Sequence, residues 1–179
     1  MYYHHSECTR ILLNHKDLKV NIQDYDGNTT LHYAFKSYDQ KSMKMLLEQQ
    51  DINVNIQDKT GRSSLHYITG YFDNKLINLL LSHEDVEINL EDNEGMTPLH
   101  SAIENNALDS IHLLLSQEEL AINATDKYGR TPLCVAVQCC RPKCVEALLT
   151  HKDINIHLKD QQGRTPLQIA ELLTEVASG

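Results

Sequence analysis

The sequence predicts a mainly helical α-solenoid, in which helix-turn-helix units stack in a row and are joined by β-hairpin or turn connections. The first observation is an Asp-x-x-Gly phrase that occurs five times, with successive glycines 34 residues apart. These glycines are Gly27, Gly61, Gly95, Gly129 and Gly163. The second observation is that each phrase is followed at once by a helix-start phrase, such as Met96-Thr-Pro-Leu-His100. Such a constant register indicates one supersecondary motif that is stacked several times.

Each unit is predicted to begin with a tight turn and continue into a helix. Asp followed three positions later by Gly favours a turn, because Gly adopts a positive φ without steric cost. Thr97 is a good N-cap residue, and Pro98 suits the first helical position, where a missing N–H costs nothing. The capping positions of the other units hold Thr29, Ser63, Thr131 and Thr165.

A second helix and an extended segment are predicted to complete each unit. In the first helix, apolar residues three positions apart, such as Leu99 and Ala102, give one buried face. After a polar break, a second apolar group such as Ile111–Leu115 predicts another helix. A short segment then leads to the next turn and is expected to form a hairpin arm. These segments are residues 52–56, 86–90, 120–124 and 154–158.

The order of turn, helix, helix and hairpin, with Thr-Pro-Leu-His at a fixed period, resembles the ankyrin repeat. The resemblance covers nearly the whole chain and implies a single ankyrin-repeat domain over residues 1–179. Its divisions are a partial repeat at 1–23, full repeats at 24–57, 58–91, 92–125 and 126–159, and a partial repeat at 160–179. The family period is usually about 33 residues. The extra residue in this chain falls between the second helix and the hairpin.

Both terminal repeats are predicted to be incomplete. Residues 8–23 match a second helix and a hairpin arm, whereas residues 160–179 match a turn and a first helix. The last repeat of a solenoid normally has a polar outer face, but this one carries Leu172, Leu173 and Val176. We therefore expect the chain to be a monomeric segment of a longer protein.

Composition excludes several classes of function. The net charge of −9 disfavours nucleic acid and anionic membranes as partners, because both attract clustered Lys and Arg. The aliphatic runs are at most three residues long, far short of the roughly 20 apolar residues of a membrane span. The five cysteines are odd in number and crowded together, which is unlike a secreted disulfide framework. A cytoplasmic or nuclear location is therefore expected.

No sequence feature predicts an enzyme or a cofactor. His32, His66 and His100 occupy one repeated position, where the ankyrin resemblance implies hydrogen bonds to the turn backbone. The asparagines at positions 21, 55, 89 and 123 recur in the same way and are expected to bond the hairpin backbone. The sequence holds no phosphate-binding glycine loop, nucleophile elbow or His-Glu-x-x-His motif.

The cysteines leave one chemical alternative open. Cys134, Cys139, Cys140 and Cys144 have spacings within the range of zinc ligands. Buried or half-buried thiols are the default interpretation, since these positions fall on two antiparallel helices and their connection. The alternative is a zinc- or redox-responsive module built on residues 134–144.

The leading hypothesis is a protein–protein interaction module that binds a protein or peptide on its concave hairpin and helix surface. Turn residues differ between units while scaffold residues do not, so the turns are the candidate site. The predicted partner-binding residues are Lys59, Arg62, Tyr71, Met96, Lys127, Tyr128, Arg130 and Arg164. Their basic members favour an acidic partner. A remaining alternative is a targeting arm of a larger enzyme or of an effector directed at a host cell.

Overall fold

The computed structural model describes residues 3–69 and 74–178, and within them the chain forms ten α-helices and no β-strand. The helices are α1 (Tyr3–Leu13), α2 (Thr30–Lys36), α3 (Gln40–Leu47), α4 (Ser64–Ile68), α5 (Asn74–Leu81), α6 (Pro98–Glu104), α7 (Leu108–Leu115), α8 (Pro132–Gln138), α9 (Pro142–Leu149) and α10 (Pro166–Ser178). The helices from α2 to α9 form four successive pairs that contribute one helix to each of two rows, and α1 and α10 add one helix each.

The two rows make a two-layered stack. The first helices, α2, α4, α6, α8 and α10, contact one another in sequence order. The second helices, α1, α3, α5, α7 and α9, do the same, and each of α2, α4, α6 and α8 packs on the second helix that follows it. A helical solenoid with no strand in the described residues is the ankyrin repeat architecture that the sequence predicts.

The first helices begin where the sequence predicts, and their caps show why. Thr29 and Thr97 have extended backbones and form capping boxes with His32 and His100, the third residues of their helices. In α6 the proline lies in the first turn, where its missing N–H costs nothing. These caps satisfy the free N–H groups of helices only five to seven residues long.

The hydrophobic core lies between the two rows and continues through the stack. Its fully enclosed side chains include Leu31, Phe35, Leu46, Leu65, Ile77, Leu80, Leu99, Ile103, Ile111, Leu114 and Leu148. Burial of one such side chain stabilises the fold by about 1.5–3 kcal/mol. Helices this short depend on such packing for their stability, because an isolated helix of one or two turns does not form in water.

The expected hairpin arms are the part of the fold that the structure corrects. Residues 52–56, 86–90, 120–124 and 154–158 contain turns and no strand. An asparagine side chain takes the place of a strand ladder: Asn21 Nδ2 donates to the Asp51 carbonyl at 2.7 Å, and Asn21 Oδ1 accepts from the Asn53 N–H at 2.9 Å. The equivalent bonds join Asn55 to residues 85 and 87, Asn89 to residues 119 and 121, and Asn123 to residues 153 and 155. The predicted asparagine bonds therefore exist, but they connect adjacent repeats.

Candidate functional site

The five turns, which we call the tips, are residues 24–28, 58–62, 92–96, 126–130 and 160–164. In the fourth tip, the Gly129 N–H donates to the Asp126 carbonyl at 2.9 Å, and the Asp126 N–H donates to the Arg130 carbonyl at 3.0 Å. Asp126 Oδ1 also accepts from the N–H groups of Tyr128 and Arg130, both at 2.9 Å. Because the buried aspartate closes its own loop in this way, it serves the scaffold and is not a candidate acid or base.

Backbone bonds between neighbouring tips hold them in a row. The Lys59 N–H donates to the Asp26 carbonyl at 2.9 Å, and the Lys127 N–H donates to the Glu94 carbonyl at 2.8 Å. The approach is so close that a Cβ built on Gly27 would lie 2.9 Å from the Lys59 nitrogen. The tips are therefore preorganised relative to one another.

The three repeated histidines connect each helix start to the next tip. His32 Nδ1 accepts from the Thr29 N–H at 3.1 Å, and His32 Nε2 donates to the Arg62 carbonyl at 3.1 Å. His66 bonds the Met96 carbonyl at 2.9 Å and His100 bonds the Arg130 carbonyl at 3.1 Å in the same manner. An Nδ1 that accepts a backbone N–H must be unprotonated, so each ring is neutral.

Burial lowers the pKa of His32, His66 and His100 below the ordinary value, which agrees with neutral rings. Hydrogen bonds from each ring to a carbonyl oppose that effect without reversing it. Both ring nitrogens are engaged within the protein, so these histidines are structural, as the sequence resemblance implies.

The three candidate arginines are paired with buried aspartates. Arg62 Nε donates to Asp92 Oδ2 of the next repeat at 3.2 Å. Arg130 Nε donates to Asp126 Oδ2 at 2.7 Å, and Arg164 makes the same bond to its own aspartate, Asp160, at 2.9 Å. This pairing neutralises much of the basic character that the sequence assigns to the tips.

The two candidate lysines keep more of their exposure. The Lys59 side chain is 69% exposed and its ammonium lies 3.9 Å from Asp26. Lys127 pairs with Glu94 and lies 5.0 Å from the centre of the Tyr128 ring. Lys59 and Lys127 therefore give the tips a positive charge that is smaller than the sequence predicts but is available for contact with a partner.

Tyr128 is the centre of an ordered cluster on the fourth tip. The Arg130 guanidinium lies 5.0 Å from the ring centre, so the half-exposed ring is flanked by two cations. Arg130 is itself fixed by a 2.7 Å bond from its Nη1 to Gln138 of α8. We call Lys127, Tyr128 and Arg130 the Tyr128 cluster, and the structure brings these three predicted residues together.

Two of the predicted partner-binding residues are not on the described surface. Met96 is buried, with 5% of its area exposed, and its carbonyl accepts the bond from His66. Its side chain therefore packs beneath the tip and is unavailable to a partner, which corrects the sequence-based expectation. Tyr71 lies outside the described residues.

Two tyrosines on the first helices were missing from the predicted site. Tyr33 is half exposed and its hydroxyl donates to Asp24 of the first tip. Tyr67 donates to Asp58 at 2.5 Å, and Lys36 Nζ lies 4.9 Å above the Tyr67 ring. The signal in the sequence was a Tyr nine residues after the tip aspartate in two successive repeats. These bonds join the first helices and the tips into one surface, which we call the tip face.

The cysteines do not form a metal site. Within residues 3–69 and 74–178, no group of three or more His, Cys, Asp or Glu side chains is arranged to hold a metal ion. Cys134 and Cys144 are buried, whereas Cys139 and Cys140 are exposed, and all four are free thiols. Burial raises the pKa of the Cys144 thiol, which makes it less reactive. This arrangement does not support the zinc alternative, and the redox alternative stays a hypothesis.

Of the helices in the described part of the chain, none is both long and apolar enough to cross a membrane.

Comparison with known proteins agrees with the repeat architecture. A family model described as ankyrin repeats, in three copies, matches residues 1–58, 50–126 and 118–176. The crystal structure of EF0377, described as an ankyrin repeat protein, superposes with a TM-score of 0.86 over 96% of this chain and 88% of that one. The two sequences are 23% identical, so this likeness concerns the fold alone. No curated protein matches the sequence.

Proposed function

The chain belongs to the ankyrin repeat family, and from that premise we propose that it is a non-enzymatic module whose tip face binds a partner protein or peptide. Ankyrin repeats are generally protein–protein interaction modules. The tip face adds to this general role a defined set of side chains.

The observation that carries the proposal is that one set of polar side chains forms the bonds of the scaffold, whereas another set is exposed on the tip face. The tip aspartates, the three histidines and the four asparagines are all occupied in bonds within or between repeats. In contrast, Tyr25 and Tyr128 expose 96% and 49% of their area. Tyrosines held on a rigid frame bind with little loss of conformational entropy and are frequent in binding hot spots.

The chemistry of the tip face suggests what the partner presents. Tyr128 offers an aromatic surface beside Lys127, and Lys59 adds a second exposed ammonium at the second tip. A peptide with an apolar or aromatic anchor next to a carboxylate would fit this combination. An acidic patch alone fits less well, because Arg62, Arg130 and Arg164 are already paired with aspartates.

A capture experiment tests the proposal. The chain is immobilised, a native extract is passed over it, and retained proteins are quantified by mass spectrometry. The double variant Lys127→Ala/Tyr128→Ala should retain the specific partner roughly tenfold or more weakly, since hot-spot truncation costs about 2 kcal/mol or more.

The matched control removes a lysine from the opposite row. Lys143 is exposed on α9, away from the tips, so Lys143→Ala should retain the partner as well as the unaltered chain does. Equal retention by the Tyr128-cluster variant and by this control would move the binding site away from the fourth tip. Turnover of a small substrate by the purified chain would contradict the non-enzymatic proposal.

A further inference from the structure

The row of second helices carries a groove that is separate from the tip face. It runs between α3 and α5, which pack on each other, and its volume is about 450 Å³. We call it the lysine groove, and the side chains that define it are Lys41, Lys44, Glu48, Lys75, Leu76 and Leu79. None of these residues belongs to a tip or to a first helix. A ligand in this groove would therefore leave the tip face free.

The floor of the lysine groove is more apolar than the repeat requires. Leu76 on α5 occupies a position that holds Ser42, Ser110 and Cys144 in α3, α7 and α9. Leu76 is 6% exposed, and the half-buried Leu79 beside it keeps part of its surface in contact with solvent. The lysine stems add methylene groups along the walls, because a lysine can lay its stem on an apolar surface while its ammonium stays in water. The groove thus offers an apolar floor to a side chain of leucine size.

The walls of the groove are basic, although the whole chain has a net charge of −9. Lys41 and Lys44 lie three residues apart on α3, so their side chains share one side of that helix. Both are exposed, and the side chain of Lys44 is 66% exposed. Lys75 contributes to the opposite wall from α5, where it occupies the repeat position of Lys41. Three lysine side chains therefore surround one apolar floor.

The nearby carboxylates compensate this charge only in part. Glu48 lies 3.8 Å from Lys44 Nζ, but both side chains are more than half exposed, so solvent weakens the pair. Glu7 on α1 also interacts electrostatically with Lys41, but it is bonded to Arg10 Nε at 3.0 Å. Among the described residues that line the groove, three positive charges face one negative charge.

A second groove in the same row shows that this composition is a local feature. It lies between α7 and α9, has a volume of about 320 Å³ and is lined by one lysine and one glutamate, Lys143 and Glu146. Glu146 occupies the repeat position of Lys44. The excess of positive charge thus belongs to the groove between α3 and α5 and does not follow from the repeat itself.

The walls of the lysine groove determine how a ligand can be recognised. Both walls are helices, whose backbone groups bond within the helix, so they offer no strand edge to which a peptide could add. Recognition must come from side chains. An amphipathic helix presents an apolar side chain with carboxylates three or four residues away on the same side, which complements an apolar floor bordered by lysines.

We propose that the lysine groove is a second binding site, which takes an acidic amphipathic helix of a partner protein. A leucine-sized side chain of that helix packs on Leu76 and Leu79. Its carboxylates face Lys41 and Lys44, and the complementary charge speeds association and sets the orientation of the helix. This site is distinct from the tip face, so the chain can hold two partners, or two parts of one partner, at the same time.

Fluorescence anisotropy with a labelled synthetic peptide tests the proposal. The probe is a helical peptide of leucine, glutamate and alanine, with its leucines on one side and glutamates next to them. The variant Lys41→Glu/Lys44→Glu should bind it about tenfold or more weakly, because two attractive charges become repulsive. The affinity of the unaltered chain should decrease as salt is added. A second peptide, with glutamine in place of each glutamate, should also bind more weakly.

Two control variants separate the groove from other causes. Lys143→Glu/Lys152→Glu changes the net charge by the same amount at exposed sites outside the groove and should bind the acidic peptide like the unaltered chain. Lys127→Ala/Tyr128→Ala should also bind it normally, which distinguishes this site from the tip face. Circular dichroism verifies the helical fold of each variant.

Several results would overturn the proposal. One is that the acidic peptide does not bind the unaltered chain, or binds Lys41→Glu/Lys44→Glu equally well. Another is an equal loss of binding in Lys143→Glu/Lys152→Glu, which would show that binding follows the net charge of the chain. A double-stranded DNA probe that bound as tightly, with the same dependence on Lys41 and Lys44, would show that the groove recognises charge alone.

Discussion

At the scale of single residues, the repeated histidine is the polar group on which most of the scaffold depends. His100 has 0% exposure and bonds three polar groups: the Thr97 N–H, the Thr97 hydroxyl and the Arg130 carbonyl. Removing a buried partner leaves those groups without a hydrogen bond, which costs more than the bond itself is worth.

His100→Ala is therefore expected to lower the free energy of unfolding by about 2–4 kcal/mol. The measurement is urea denaturation followed by circular dichroism at neutral pH. His112→Ala is the matched control, because His112 is exposed on α7, and it should change the stability by less than about 0.5 kcal/mol. Equal effects of the two substitutions would contradict the structural role assigned to His100.

Sequence reasoning succeeded for residues whose role is fixed by their own repeat. The caps Thr29 and Thr97 belong to local patterns that a single repeat displays in full. It failed for Met96, because the surroundings of that residue come from a neighbouring repeat, and it did not predict the ion pair of Arg62. Arg62 bonds Asp92, which is 30 residues away, whereas Arg130 bonds the aspartate of its own tip. Nothing in the sequence pattern predicts whether an arginine pairs with the aspartate of its own tip or with that of the next tip.

At the scale of elements, the tips carry the contact between repeats, and their glycines provide a matched pair of tests. Gly95 and Gly163 have nearly the same φ, +74° and +75°. A Cβ on Gly95 would lie 2.8 Å from the Lys127 nitrogen, while one on Gly163 has open space around it. The two sites differ mainly in the neighbouring tip.

Gly163→Ala is expected to cost about 1–2 kcal/mol of unfolding free energy, which is the strain of a left-handed backbone conformation. Gly95→Ala should cost at least about 1 kcal/mol more, because the two tips must also separate. Thermal and urea unfolding of both variants measures the difference. A smaller cost for Gly95→Ala would show that the tips are not in contact as described.

The histidine-bearing repeats also give the fold a pH dependence. The pKa values of His32, His66 and His100 are lowered in the folded state, whereas an unfolded histidine has a pKa of about 6.5. Below that pH the unfolded chain binds more protons than the folded one, so the stability of the fold decreases as pH falls. Above about pH 6.5 both states hold neutral rings and this contribution is constant.

We expect the urea midpoint to be lower at pH 5.5 than at pH 7.5, and lower still at pH 5. The Asp58 carboxyl stays ionised in this pH range, so it does not contribute to this change in stability. Burial would raise its pKa, but bonds from Thr60, Tyr67 and the backbone outweigh that effect and hold it far below its usual value. Replacing His100 by Ala should reduce the slope of stability against pH. A midpoint that rises on acidification would refute the assignment of neutral rings.

The elements were predicted better than their connections. The helix starts follow from the Thr-Pro pairs and the apolar spacing, and the structure has them at the same places. The segments 52–56 and 120–124 have the alternating apolar residues of a strand but form turns. Asn21 and Asn89 provide the reason, because their side chains satisfy the neighbouring loop's backbone without a strand ladder.

At the scale of the whole molecule, the stack behaves as a one-dimensional array, because the helix contacts among the described residues link neighbouring repeats. Internal repeats have two such neighbours, but α1 and α10 are each covered on one side only within the described structure. Stability is therefore distributed unevenly along the chain.

Amide hydrogen exchange of the chain should show this gradient. The amides of α6, α7 and α8 are expected to be the most protected, and those of α1 and the second half of α10 the least. Uniform protection along the chain would contradict a linear stack.

The asparagine bonds between loops make the stack sensitive to deamidation, a slow hydrolysis of the side-chain amide. Deamidation converts the side-chain NH₂ of Asn89 into a carboxylate oxygen, which would then face the Glu119 carbonyl that it now donates to at 2.7 Å. An attraction becomes a repulsion at that position while the partner bond to Ala121 survives. Deamidation of this one side chain would weaken one contact between loops. The stack would then separate first at that contact, while the repeats on either side stay folded.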